Sequence, residues 1–283
     1  MRTVAVTGTG GYIGGRLARY LEEAGLRVVR LSRSAEADLR FDLTGPPVRA
    51  DAFSSRNVSV LVHAAYDFSF RSRADIQRVN VKGTLDLFDS ALAGGVSRVV
   101  FVSSLAAHPT CRSLYGKAKN AVEGHATNGP VVIVKPGTVY GPNAGGMMGT
   151  LTAQIDGSRI MPVIRHPGSL YLTHEADLFR LFETVISGDL PKSPIFAAGE
   201  TPWTLPRICR ALRGGRGPAF LPTPWWAIWV ALKVVETCGG RLRFRSDSAL
   251  SLGYPAPPEY VASLTRPSFP FREFLPGGRP RSG

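Results

Sequence analysis

Tyr115 and Lys119 stand four residues apart in Tyr115-Gly116-Lys117-Ala118-Lys119, a spacing that puts both side chains on one face of a helix. A lysine ammonium beside a phenol favours the tyrosinate, which makes tyrosine a better proton donor and acceptor near neutral pH. Upstream, Ser103-Ser104 ends the apolar run Val99 to Val102. A hydroxyl at the C-terminal end of a strand can hydrogen-bond an oxygen on which charge develops. Taken singly, the pair could be a surface pair and the serines turn formers. Their joint presence behind a glycine turn argues for chemistry.

That turn is Gly8-Thr9-Gly10-Gly11-Tyr12-Ile13-Gly14. It follows the apolar run Val4-Ala5-Val6 and precedes Leu17, Leu21 and Ala24 at helical spacing, so it reads strand, turn, helix. Gly8, Gly11 and Gly14 allow a tight turn, close backbone approach and amide N–H groups at a helix N-terminus, which a dinucleotide pyrophosphate requires. After the second strand, Val28 to Leu31, comes Arg33 in place of an acidic residue. Arg33 could pair with a 2'-phosphate, which favours NADP over NAD, or be a solvated surface arginine. Asp42 reads either as an adenine contact or as a turn residue.

Further strands are expected at Val58 to Ala64, Val99 to Val102 and Val131 to Lys135, with helices at Asn80 to Ala93 and Ala176 to Ser187. Alternating strands and helices predict an α/β fold: a doubly wound parallel sheet of the Rossmann type with a smaller C-terminal substrate-binding region. We place the dinucleotide-binding part at 1–185, with the chain returning to it at 176–187. The small region follows at 186–275, and 276–283 form a frayed tail.

The chain has 283 residues, 44% hydrophobic, with 34 Lys and Arg against 21 Asp and Glu. The charge of +13 favours anionic partners such as nucleotides, nucleotide-activated substrates, nucleic acid or acidic lipid surfaces, and charge alone does not choose among them; the expected partner is an anionic small-molecule substrate. No recognised motif supports nucleic-acid binding. Cys111, Cys209 and Cys238 are too few and too scattered for a disulfide framework, which makes a reducing cytoplasm the default. No His/Cys/Asp cluster has metal-ligand spacing, so no metal is assigned to His63 or His174. His63 is expected to pack at its strand end and His174 to cap or bury near the helix that follows.

The ordered set of segments resembles the extended short-chain dehydrogenase/reductase family, also called the NAD-dependent epimerase/dehydratase family. The segments are Thr7-Gly8-x-x-Gly11-x-x-Gly14, His63-Ala64-Ala65, Asn80-Val81-Lys82-Gly83-Thr84, Val102-Ser103-Ser104, Tyr115-x-x-x-Lys119 and Lys135-Pro136-Gly137-Thr138-Val139-Tyr140-Gly141-Pro142. The resemblance implies that Tyr115 is the general acid/base, that Lys119 binds the nicotinamide ribose and tunes Tyr115, and that Ser104 polarises the reacting oxygen. By the same resemblance, Gly8, Gly11, Tyr12, Ile13, Gly14, Ala64, Ala65, Asn80 and Pro136 line the cofactor. Asn80 has a second reading, as a helix cap. His108-Pro109 stands where the family has a Tyr-Gly pair.

The same resemblance implies that the variable C-terminal part covers the nicotinamide and selects the substrate. From residue 201 onward it carries twelve basic residues against four acidic. Arg241-Leu242-Arg243-Phe244-Arg245 alternates, so as a strand it would place three arginines on one face, able to hold a diphosphate or simply solvated. Trp225 to Leu232 reads as the core of the small region, with an interfacial helix on an anionic membrane as the rival. The leading expectation is hydride transfer at a carbinol carbon of a nucleotide-activated sugar. An NADPH-dependent ketoreductase resembling hydroxysteroid dehydrogenases, on an apolar ketone, is the second. A non-catalytic dinucleotide sensor is the third, and a homodimer is left open.

Overall fold

The protein is described by a computed structural model at residues 2–126, 129–157, 159–165, 169–188, 192–213, 218–240, 242 and 244–274. The opening unit is β1 (Thr3–Thr7), the glycine turn, α1 (Tyr12–Glu23) and β2 (Arg27–Ser32). Next come β3 (Leu39–Arg40), α2 (Ala50–Ser54), β4 (Val58–His63), α3 (Arg73–Ile76), α4 (Gly83–Ala93), β5 (Arg98–Val102), α5 (Leu114–His125) and β6 (Val131–Pro136). These strands, with β10 named below, form one parallel seven-stranded sheet in the order β10-β6-β5-β4-β1-β2-β3. The chain reverses direction between β1 and β4, the crevice where such sheets bind ligands.

Period-two alternation sorts the strand residues onto two cores. Ala5, Leu31, Leu61, Val99 and Phe101 face Phe53, Leu87, Phe88, Ala118 and Val122. Val4, Val6, Val62, Val100 and Val134 face Leu17 and Leu21 of α1 and a row of apolar residues beginning at Leu178. Both faces are buried, which is why these strands read as apolar runs.

After β7 (Thr138–Tyr140) the chain forms α6 (Gly146–Gly157), β8 (Ile160–Ile164) and β9 (Leu172–His174). It then returns as α7 (Glu175–Ser187), which carries Leu178 and packs against α1. β10 (Ile195–Ala197), beyond residue 185, adds the outermost strand beside β6. A separate core joins Met148, Leu151 and Met161 to Trp203 and to Ile208 of α8 (Leu205–Leu212). β11 (Ala219–Thr223) pairs with β8, and α9 (Trp225–Thr237), α10 (Ser246–Gly253) and α11 (Pro258–Ser263) complete the described chain.

Three expectations change. The helix expected from Asn80 starts at Arg73, where the Ser72 side chain accepts from the Asp75 N–H, and it continues through a π-helical stretch, Gln77–Lys82. Asn80 therefore lies inside the helix and does not cap it. α9 is not a core element: Glu236 is its one buried residue, while Trp226, Val230, Val234 and Val235 are exposed. Leu242, Phe244 and Arg245 form no strand, because Arg245 already enters α10 as its N-cap; Arg241 and Arg243 lie outside the described residues. The expected tail 276–283 also lies outside them.

Candidate active site

The glycine turn is shaped by close backbone packing. Gly8 has φ +70°, and a Cβ there would meet the Ala65 backbone at 3.0 Å. A Cβ on Gly14 would lie 2.4 Å from the Gly8 carbonyl oxygen. Glycine is required at both positions, at the first by positive φ and at the second by contact. Thr7 ties this turn to the neighbouring strand end, since its Oγ1 accepts from the N–H groups of Ala64 (3.1 Å) and Ala65 (3.2 Å). The same oxygen lies 2.9 Å from Nδ1 of His63, whose Nε2 is 3.0 Å from Thr84 Oγ1. Burial holds His63 well below its ordinary pKa, so it is a neutral strut.

α1 has Gly11 at its N-cap and no side chain bonded there, whereas Ser113 caps α5 and His174 caps α7. The first amide groups of α1 thus suit an anionic group placed over Gly10, around which a Cβ would meet nothing within 4 Å. The residues fit a dinucleotide pyrophosphate on that test. Tyr12 gives its hydroxyl to Glu175, which also receives Arg16, so its side chain braces α7. Ile13 packs into the core beneath. Arg33, just past β2, is exposed and 3.6 Å from Asp67. Asp42 folds back on its own loop, accepting from Thr44 N (3.0 Å) and Thr44 Oγ1 (2.9 Å), which matches the turn reading. Pro136, at the end of β6, accepts from the Leu105 N–H (2.9 Å) and so holds the segment after Ser104.

Ser104 meets Tyr115, and Lys119 follows Tyr115 four residues on along α5. A side-chain hydrogen bond from Ser104 lowers the Tyr115 phenol, but burial outweighs it and pushes the group up to about 12. Lys119 sits on the same helical face, buried, with Nζ donating to the Val102 carbonyl at 2.8 Å and lying 4.6 Å from the Phe101 ring centre. Burial lowers it from 10.5 to about 7, with Glu123 acting in the opposite direction. Burial and Glu123 raise the Tyr115 phenol, and Ser104 lowers it. The ammonium is turned to a strand carbonyl, and it is Ser104 that favours the tyrosinate. Beneath lies a buried carboxylate, Glu123, receiving Ser103 and Lys135.

Two contributions were not legible in the sequence. Asn80 is buried and grips the loop after β4 twice, its Oδ1 accepting from Asp67 N (2.7 Å) and its Nδ2 donating to Asp67 O (3.0 Å). This fixes Tyr66 and Phe68, whose rings lie 4.9 and 5.7 Å from that of Tyr115. Asp247 of α10 accepts from Leu114 N (2.6 Å) and Tyr115 N (3.0 Å), so the C-terminal region caps the helix that carries Tyr115. An acidic residue 132 positions downstream of Tyr115 leaves no local pattern to read. From the same region Arg245 donates to Phe68 O at 2.5 Å, and His108 Nε2 lies 3.1 Å from Tyr254 O.

A parallel sheet, a glycine turn at an uncapped helix and a Ser-Tyr-Lys group at the strand ends define a dinucleotide-dependent enzyme of the Rossmann class. More specifically, the chain belongs to the NAD dependent epimerase/dehydratase family, whose model matches residues 4–166. It is 29% identical over 216 residues to a ceramide reductase of Caulobacter vibrioides, covering 71% of this chain and 67% of that protein. It is 30% identical over 164 residues to mouse UDP-glucose 4-epimerase, covering 44% of this chain and 47% of that one. Its fold is that of Thermotoga maritima UDP-glucose 4-epimerase, determined with UDP-glucose, at TM-score 0.64 and 18% identity over 88% of this chain and 96% of the other. The protein is an NAD-dependent enzyme by family; its substrate follows from none of these likenesses.

Lys119 binds fewer protons folded than unfolded between about pH 7 and 10.5, so its burial penalty is full below that window and vanishes above it. Lys119→Met should therefore raise the melting temperature most at pH 6–7, with the gain shrinking as the pH rises toward 10.5. A pH-independent difference would contradict the shift. Asp247→Ala removes two bonds at the α5 N-terminus and should destabilise by about 1–2 kcal/mol in urea denaturation.

Proposed function

We propose that the protein is an NADP(H)-dependent reductase, or in reverse a dehydrogenase, acting on the carbonyl or carbinol carbon of a largely apolar substrate. The observation that carries this reading is the aromatic wall on Tyr115: Tyr66 at its edge and Phe68 stacked on it, the latter 60% exposed. Such rings favour an apolar body over a hydrated sugar. The arginine strand expected to hold a diphosphate does not form at Arg245, whose guanidinium is engaged with Phe68 and Glu236. The relative that shares 71% of the chain is named for reduction of ceramide, a lipid.

In this reading the sheet completed by β10 holds the cofactor, and the loop after β4 together with α10 and the Tyr254 region shapes the substrate site. The bound nicotinamide supplies the hydride. Tyr115, protonated across the neutral range, donates its proton to the carbonyl oxygen. Ser104 donates a hydrogen bond to the same oxygen as charge builds on it. Lys119 would hold the nicotinamide ribose and, with a pKa of about 7, could return the proton that Tyr115 gives up. Arg33, exposed just past β2, would pair with the 2'-phosphate.

A nucleotide-activated sugar, turned over by epimerisation or dehydration, is the second reading. Arg112, exposed and packed 4.1 Å over the ring of Tyr254 beside the site, could take a phosphate.

Mass spectrometry of the nucleotide released on denaturation separates the two. An empty protein that then binds NADPH more tightly than NADH supports net reduction, whereas retained NAD supports turnover with internal recycling. With NADPH and long-chain ketones, Tyr115→Phe should lose about 10²–10⁴-fold in kcat at unchanged cofactor affinity; undiminished turnover would remove Tyr115 from the chemistry. Arg33→Asp should shift the NADPH-to-NADH affinity ratio at least about tenfold toward NADH, roughly 1.4 kcal/mol.

A further inference from the structure

α9 is turned inside out for a surface helix. Trp226, Val230 and Val234 recur at four-residue spacing on one exposed stripe, and Trp226 and Val234 are 58% and 56% exposed. Its single acidic residue, Glu236, points inward and accepts from Ser246 N (2.9 Å) and Ser246 Oγ (2.8 Å). Beside the stripe lies a shallow apolar recess lined by Trp229, Val230, Lys233, Val234, Thr237 and Cys238. The preceding ribbon continues this character. Ile160 and Pro162 of β8 and Ala219 and Leu221 of β11 lie on one face of that sheet, and all are exposed. β11 enters α9 directly through Pro224. A surface of this extent marks a place where something binds.

Charge indicates what. Residues 157–174 hold two basic residues and no acidic one, and residues 201–235 hold five and none. Arg159 and Arg165 flank β8, and Lys233 sits on α9 beside the stripe; all three are exposed. A second copy of this chain would bring like charges together across the same face, whereas an anionic surface attracts them. Among the described residues no helix is long and apolar enough to cross a membrane. A short helix with Trp and branched aliphatic residues outward and basic residues around it suits the interface of a bilayer.

We infer that α9 and the exposed face of the β8–β11 ribbon dock the protein on a bilayer carrying anionic lipid. The inference stands apart from the substrate reading above, because it concerns where the enzyme sits and not what it turns over. The attraction comes from the basic residues and falls with salt. Retention comes from Trp226, Val230 and Val234 entering the headgroup region.

The test is co-sedimentation of the full chain with phosphatidylcholine vesicles, with or without a third of phosphatidylglycerol, at low and high salt. Binding should be at least about tenfold stronger on the mixed vesicles and weaken at high salt. Trp226→Glu with Val230→Glu should abolish it, and Arg165→Glu with Lys233→Glu should reduce it severalfold. NADPH affinity serves as the folding control, since these residues lie outside the cofactor site. Failure to bind the mixed vesicles would overturn the inference, as would binding that both double variants leave unchanged. A dimer that Trp226→Glu dissociates, with no vesicle binding, would assign the face to a second copy instead.

Discussion

Lys119, Glu123 and Lys135 bring three ionisable side chains into the interior directly below the candidate site, two from α5 and one from β6. Removing charges from water is costly unless they are paired and bonded, and here one carboxylate receives both Ser103 and Lys135 while Lys119 turns to a strand carbonyl. The arrangement fixes the distance between α5 and the ends of β5 and β6, because the shared carboxylate tolerates little slippage. It also leaves Lys119 the poorly compensated member, which is why its proton is loosely held near neutrality. Stability is lower than an apolar trio would give, and a titratable group stands beside Tyr115 in return.

The cofactor end is held by contact. Gly14 against Gly8, and Gly8 against Ala65, bring three backbone segments closer than any side chain would permit. Thr7 and His63 lock the same segments by hydrogen bonds that never reach solvent. The crevice is thus rigid on one side, while the substrate side is assembled from separate pieces: the Asn80-held loop, α10 and the Tyr254 region. A fixed cofactor platform with a composite cover is how one fold accepts different substrates.

Much of this was readable from residue types and spacing. The glycine turn, the buried strands and the Tyr115/Lys119 helix declare themselves locally, since each depends on a period or a conformational need carried within about a dozen residues. What stayed hidden depends on long-range partners. Trp225 to Leu232 has the composition of a core segment, and only the neighbours packed on its opposite face show that the stripe points outward. Asp247 caps a helix far upstream in sequence, and Asn80, within the π-helical stretch, grips Asp67 on another loop. The Arg241-to-Arg245 alternation looks like a strand, but no partner strand accompanies its described residues.

β10 has a further consequence. This three-residue strand reaches the sheet only after α7, and it is bridged through Ile195 to Thr265. Phe271 packs on the same core face as Leu178, and Arg272 clasps Asp177 with bonds of 2.7–3.0 Å. The edge of β6 thus stays open until residues 195–197 have emerged, and the outer side of β10 until Thr265 follows, so a nascent chain exposes unpaired strand groups over that interval. Pairing β6 with a strand that comes only after α7 raises contact order, which slows folding. The vulnerable interval of this protein's life is therefore its birth, when chaperone protection of that edge matters most.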